Sequence, residues 1–178
     1  PKRLVVLGMG FIDKLAAGQL NSGQVFQLIQ GLTPLQLGTS NLQFMSGLSP
    51  VEMAFTFSRV GGNYLAALSA DLMNRIFGGF TSAYMASLGS SNSATIESFT
   101  GMVLPASYGL LSRETVASIS PGILGALLPT QVAALNITSL SGDVIARAGI
   151  GFVNGLSDTQ VAHLHVSYQL VGLLTHLT

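Results

Sequence analysis

Two stretches decide how this sequence is read: Gly8-Met9-Gly10-Phe11-Ile12-Asp13-Lys14-Leu15 and its near-copy Gly149-Ile150-Gly151-Phe152-Val153-Asn154-Gly155-Leu156. The match continues past the leucine, as FIDKLAAGQL (11–20) against FVNGLSDTQV (152–161). Two apolar residues are followed by two spacers, a leucine, a small or capping residue, two more spacers, a glutamine and an apolar residue. Relatives of the phrase start at Leu28 (LIQGLTPLQL), Phe44 (FMSGLSPVEM) and Tyr64 (YLAALSADLM). A weaker version starts at Tyr84 (YMASLGSSNS), and LGALLPTQV from Leu124 is the phrase one residue short. Starts at 11, 28, 44, 64 and 84 lie 16 to 20 residues apart, the length of one short helix and one turn.

The chemistry of the phrase predicts a helix-to-helix corner. Thr33 is placed as an N-cap, with Pro34 at the first helical position and Gln36 three residues after the cap. Ser49, Pro50 and Glu52 repeat the arrangement, and Ser157 with Gln160 repeats it again. In such a capping box the hydroxyl accepts from a backbone N–H while the Gln or Glu accepts from the N–H of the cap. Proline in the first turn sacrifices no needed donor. Gly31, Gly47 and Gly155 stand just before the leucine, where a left-handed residue that closes the preceding helix is expected.

Between the corners the spacing is helical. Val51 to Val60 keeps it, and Leu65, Leu68, Leu72, Met73, Ile76 and Phe77 fall at three- and four-residue steps, as do Val161, Leu164, Tyr168, Val171 and Leu174. Arg3–Leu7 reads as a short strand on propensity alone, and 88–98, with Gly89 and its serines, as a loop or helix break. The expected fold is all-α: a right-handed superhelical array, or α-solenoid, of short helices with capped Leu-Ser/Thr-Pro joints. Residues 1–178 are expected to form one helical-repeat module. Pro1 in place of an initiator Met, with the sticky ends of such an array, predicts a piece of a longer chain.

The phrase Gly151-Phe152-Val153-Asn154-Gly155-Leu156-Ser157-Asp158-Thr159-Gln160-Val161 and its relatives resemble the joints of mesothelin and stereocilin-type superhelical repeat proteins. The resemblance covers most of the chain and rests on a degenerate repeat. It implies a secreted or cell-surface protein used in adhesion or matrix attachment, without enzyme activity. This chain differs from those proteins in lacking cysteine and in its few charges.

Composition narrows the function classes. Charged residues make up 8% of the chain, against roughly 25% in an ordinary soluble domain. The hydrophobic share is 48%, so neutral Ser, Thr, Asn, Gln and Gly stand where charges usually do. Seven basic and seven acidic side chains cancel, which leaves no basic stripe for a nucleic acid and little repulsion between copies. Mean hydropathy is high at +0.57, but no run approaches the roughly 20 apolar residues of a membrane span. The absence of cysteine excludes disulfides and thiolate metal sites. Asn136-Ile137-Thr138 is a glycosylation sequon and fits a secreted, extracellular chain.

Catalytic motifs do not emerge. His163 and His165 are two apart and point to different faces of a helix, which with His176 makes a metal site an unattractive reading. No Gly-x-Ser-x-Gly elbow occurs. Gly8-x-Gly10 lacks the third glycine of a dinucleotide loop, because Asp13 stands there. Asp143 and Arg147, four apart, are expected to pair along one helix. The expectation is therefore a non-enzymatic structural or adhesive module that needs no cofactor and forms a homo-oligomer or polymer, with a protein partner as a further option. The rival is a carrier whose helices enclose a small apolar ligand among Phe, Met and Leu.

Overall fold

The structure is a computed structural model and describes residues 8–40 and 43–166. Among them the chain forms fifteen α-helices and two 3₁₀ turns, with no strand. The helices are α1 (Met9–Ile12), α2 (Ser22–Ile29), α3 (Pro34–Thr39), α4 (Pro50–Ser58), α5 (Gly62–Ala66), α6 (Ala70–Gly78), α7 (Ser82–Ser87) and α8 (Ser90–Met102). They continue as α9 (Pro105–Tyr108), α10 (Arg113–Ser118), α11 (Pro121–Gly125), α12 (Pro129–Ala134), α13 (Gly142–Ala148), α14 (Ile150–Asn154) and α15 (Asp158–Val166). The 3₁₀ turns are Gln43–Gly47 and Ile137–Ser139. The strand expected at Arg3–Leu7, and the end of the helical pattern from Tyr168 on, lie outside the described residues.

All but α8 are shorter than the roughly 12 residues a free helix needs in water, so packing must hold them. One continuous apolar cluster runs from Ile12 to Leu164 and takes residues from nearly every element. At its middle Phe77, Phe80, Phe99 and Tyr108 meet at centroid distances of 5.2 to 6.3 Å, mostly edge to face. The Tyr108 hydroxyl is buried and donates to the Thr100 carbonyl at 2.7 Å.

Two expectations are corrected. Residues 88–98 are no break: they lie mostly in α8, which at 13 residues is the longest helix. Gly89 caps it, and Ile96, Phe99 and Thr100 bury one face against α4, which outweighs the weak propensity of the serines. The corner that the phrase from Tyr64 predicts is present: Ser69 accepts from the Leu72 N–H and starts α6 after α5 has ended at Ala66. Leu65, Leu68, Leu72, Met73, Ile76 and Phe77 are all buried. Finally, Gly31, Gly47 and Gly155 are not left-handed. For Gly47 and Gly155 the role lies in close approach: a Cβ on Gly47 would stand 2.6 Å from the Gly18 nitrogen, and one on Gly155 2.9 Å from Val132 Cβ. The left-handed glycines of the phrase are Gly8 (φ 84°) and Gly149 (φ 86°), which open α1 and α14.

Long-range hydrogen bonds tie several joints to others two to four helices away. The Tyr64 hydroxyl donates to the Leu32 carbonyl at 2.7 Å, and the Val51 N–H donates to the Tyr84 hydroxyl at 3.3 Å, separations of 32 and 33 residues. Both tyrosines start a phrase, and each reaches the phrase two before its own. Asn74 donates to the Leu110 carbonyl and accepts from the Ser112 N–H, and the Ser139 hydroxyl donates to the Arg113 carbonyl. The main helix contacts reach two to four helices along the chain, with α4 on α8, α9 on α12 and α11 on α13.

Candidate functional site

The joints carry the most specific chemistry in the molecule. Thr33 Oγ1 accepts from the Gln36 N–H at 3.2 Å, and Gln36 Oε1 accepts from the Thr33 N–H at 2.8 Å. Ser49 with Glu52 forms the same box, with the Ser49 N–H and hydroxyl donating to Glu52 Oε2 at 2.9 and 2.7 Å. These bonds hold the Glu52 carboxyl below the usual glutamate range. Ser157 and Gln160 close a third box. Asn21 with Gln24 forms a fourth that the phrase did not disclose, although Asn-x-x-Gln is itself a capping pattern.

Two of the glutamines do more than cap. Gln131 Oε1 accepts from the Leu128 N–H while its Nε2 donates to the carbonyls of Thr100 at 3.0 Å and Val103 at 2.8 Å. Gln160 Oε1 accepts from the Ser157 N–H while its Nε2 donates to Val132 at 2.9 Å and Leu135 at 2.8 Å. In both cases the acceptors are the C-cap residue of an earlier helix and the residue three before it. One side-chain amide thus ties the start of one helix to the end of another, where backbone groups lack a full set of intrahelical partners; the Thr100 and Val132 carbonyls also accept from the Val103 and Leu135 N–H groups. Both amides are buried, which strengthens the bonds and makes their loss costly. Nothing local in the sequence signals the second half of the clamp, because the acceptors lie 25 to 31 residues away.

The remaining candidates are separate from one another. Asn136 and Thr138 are exposed, and Asn136 Oδ1 accepts from the Thr138 hydroxyl at 2.7 Å and from its N–H at 3.3 Å. A shallow depression of ≈ 190 Å³ separates this turn from Thr159, Gln160 and His163. His163 is exposed, and the side chains of His165 and His176 lie outside the described residues. Among the described residues no three His, Asp or Glu side chains converge. Arg147 pairs with Asp143 at 2.7 Å on the exposed face of α13. Arg59 lies over the rings of Phe26 and Phe55, 4.4 and 5.1 Å from their centroids.

Exposed apolar side chains are scattered along the described residues, from Phe11 and Leu35 to Ile150 and Val161. Phe11, Lys14, Leu15, Gln19 and Leu20 line an open depression of ≈ 510 Å³. The phenylalanines that an enclosed ligand cavity would need, among them Phe44, Phe57, Phe77, Phe80 and Phe99, are instead packed into the core. Among the described residues no helix is long and apolar enough to cross a membrane. No protein-family model, curated protein or solved structure matches this chain, so its geometry carries the functional argument.

Proposed function

We propose that the chain is a non-enzymatic structural or adhesive module, built as a superhelical α-solenoid and self-associating, in a secreted or cell-surface protein. The observation that carries this reading is the recurrence of the glutamine clamp. Gln131 and Gln160 join successive units with the same pair of acceptors, 28 residues back in one case and 25 in the other for the C-cap carbonyl. A unit that recurs at this interval and binds mainly its neighbours is the building rule of a solenoid. The ion-poor composition supports self-association, since it leaves little charge to keep copies apart. The resemblance of the joints to mesothelin and stereocilin-type repeats, together with the exposed Asn136 sequon, favours the extracellular setting.

Sedimentation velocity of the purified chain tests the central part. Association that rises with protein concentration and survives 1 M salt is expected, because apolar contacts are not screened as ion pairs are. A monomer in both buffers would remove self-association. Expression through a secretory route tests the setting: a glycosidase-sensitive mass shift that Asn136→Gln abolishes is expected, and a secreted chain without that shift would remove the glycan.

A further inference from the structure

We infer that two copies of this chain pair about a two-fold axis at Phe55, with their α4 helices antiparallel and Glu52 of each facing Arg59 of the other. This inference rests on the proposed self-association and names the surface that carries it. Glu52, Phe55 and Arg59 follow one another at steps of three and four residues, and so share one face of α4 and its C-cap. Phe55 is 49% exposed, Arg59 is exposed and Glu52 is half-buried. Beside Phe55 lies a depression of ≈ 160 Å³ between α4 and α8, lined by Val51, Glu52, Phe55, Asn92 and Thr95. The Thr95 hydroxyl already donates to the Ser91 carbonyl, so Val51, Phe55 and Thr95 form an apolar slot with Glu52 and Asn92 as its polar members.

Both charges are held in place in the single chain. The Ser49 N–H and hydroxyl fix the Glu52 carboxylate, and the Arg59 guanidinium lies over the Phe26 and Phe55 rings. Groups fixed in this way lose little freedom on pairing. Among the described residues neither pairs with an opposite charge of its own chain. The corner itself requires none of this. After Thr33 the same three positions are Gln36, Thr39 and Gln43, all neutral and polar. In a chain so poor in charge, an acid and a base held ready on either side of an exposed ring mark a contact surface.

The order acid, ring, base selects the occupant. Turned about Phe55 it reads base, ring, acid, so the face is complementary to a second copy of itself. In the antiparallel pair each Phe55 ring enters the slot beside the other copy's ring. Its stacked Arg59 is thereby carried towards the Glu52 that lines that slot. Two ion pairs then flank one aromatic contact. In 1 M salt the ion pairs fade and the ring contact remains, while at low salt the ion pairs fix the register. Because both copies use the same surface, the contact closes as a dimer.

Sedimentation velocity on Arg59→Glu, on Glu52→Lys and on their equimolar mixture tests the pairing, with thermal melts to check that each variant is folded. Each variant alone should associate on the order of tenfold more weakly than wild type, because like charges then meet twice. The mixture should recover wild-type association. In a mixed pair Glu52 of the first variant faces Arg59 of the second, and the new carboxylate faces the new ammonium. Phe55→Ala should also weaken association on the order of tenfold, with a melt close to that of wild type. Wild type that associates while Arg59→Glu and Phe55→Ala do so equally well would overturn this contact and leave self-association standing. A mixture as weak as its components would overturn it too. A monomeric wild type would remove both proposals. If Glu52→Lys fails the melt because the Ser49 box is lost, Glu52→Gln takes its place. Fluorescently labelled Arg59→Glu should then sediment faster when Glu52→Gln is added, one ion pair being regained, and unchanged sedimentation would overturn the contact.

Discussion

The two copies of the phrase share a sequence and not an environment. Each opens on a left-handed glycine, Gly8 or Gly149, turns through a helix of four or five residues, and closes a corner by a glutamine that accepts from a backbone N–H three residues earlier. In α14 the phenylalanine points inward and Val153 is half-buried. In α1 Phe11 points outward and the next residue, Ile12, is buried. After Leu156 the hydroxyl of Ser157 starts α15 at once. After Leu15 there is no hydroxyl, Gly18 turns with φ 76°, and the chain waits until Asn21 to start α2. The phrase therefore encodes the corner, while the element packed on it decides which apolar residue turns inward and whether the glutamine is buried.

Substitutions at matched positions should separate what the phrase encodes from what its neighbours add. The largest difference is expected for Phe152→Ala, at about 3–5 kcal/mol, against under about 1 kcal/mol for Phe11→Ala. Urea unfolding reads both, and equal costs would mean that the two copies sit in like surroundings. Next, Gln160→Ala removes the buried amide bonds to the Leu135 and Val132 carbonyls, the second of which keeps the Leu135 N–H, and should cost about 1–3 kcal/mol, whereas Gln19→Ala, at an exposed side chain, should stay within about 0.5 kcal/mol. Gly155→Lys places a side chain where Val132 and Pro129 already stand and should cost about 1–3 kcal/mol. The reverse change, Lys14→Gly, removes nothing buried and should leave the melt nearly unmoved. Smaller again is the cap itself: Ser157→Ala should cost about 1 kcal/mol, as should Ser49→Ala, and neutral melts at both would show that the hydroxyls are not what starts these helices.

The corners were legible because their signals are local. Thr33, Ser49 and Ser157 stand three residues before a Gln or Glu, and the prolines mark first turns. The helical class followed from the same spacing. What stayed hidden depends on partners far along the chain. The stretch 88–98 reads as a break in isolation, yet from Ser90 on it is helix, held by Ile96 and Phe99 against α4. Gly47 and Gly155 do stand at the ends of short helices, but without the left-handed turn, and they also serve close contacts with Gly18 and Val132 that no local pattern records. The second half of the glutamine clamp was out of reach for the same reason. Its only trace is the recurrence of Thr-Gln-Val at 130–132 and 159–161.

The joint at Ser49 offers the finest test, because Glu52 stands where the second phrase has Gln160. Its carboxyl is held below the ordinary glutamate value of 4.5, first by the Ser49 N–H, then by the Ser49 hydroxyl, with the Ser22 side chain adding to both against a partial burial that works the other way. A carboxyl whose pKa is lower in the folded chain than in the unfolded one stabilises the fold most above pH 4.5, and that contribution fades as the pH falls through the folded value. Glu52→Gln keeps the shape of the box and removes the charge. Wild type should therefore be the more stable of the two at pH 7, and the gap should shrink below pH 4.5, because the other carboxylates titrate alike in both and cancel. The effect is the smallest of the set, since solvent reaches this carboxylate and screens it. Urea unfolding of both proteins at pH 7 and pH 3 measures the gap. A gap that does not change with pH would mean that Glu52 holds the corner by shape alone, as Gln160 does in the second phrase.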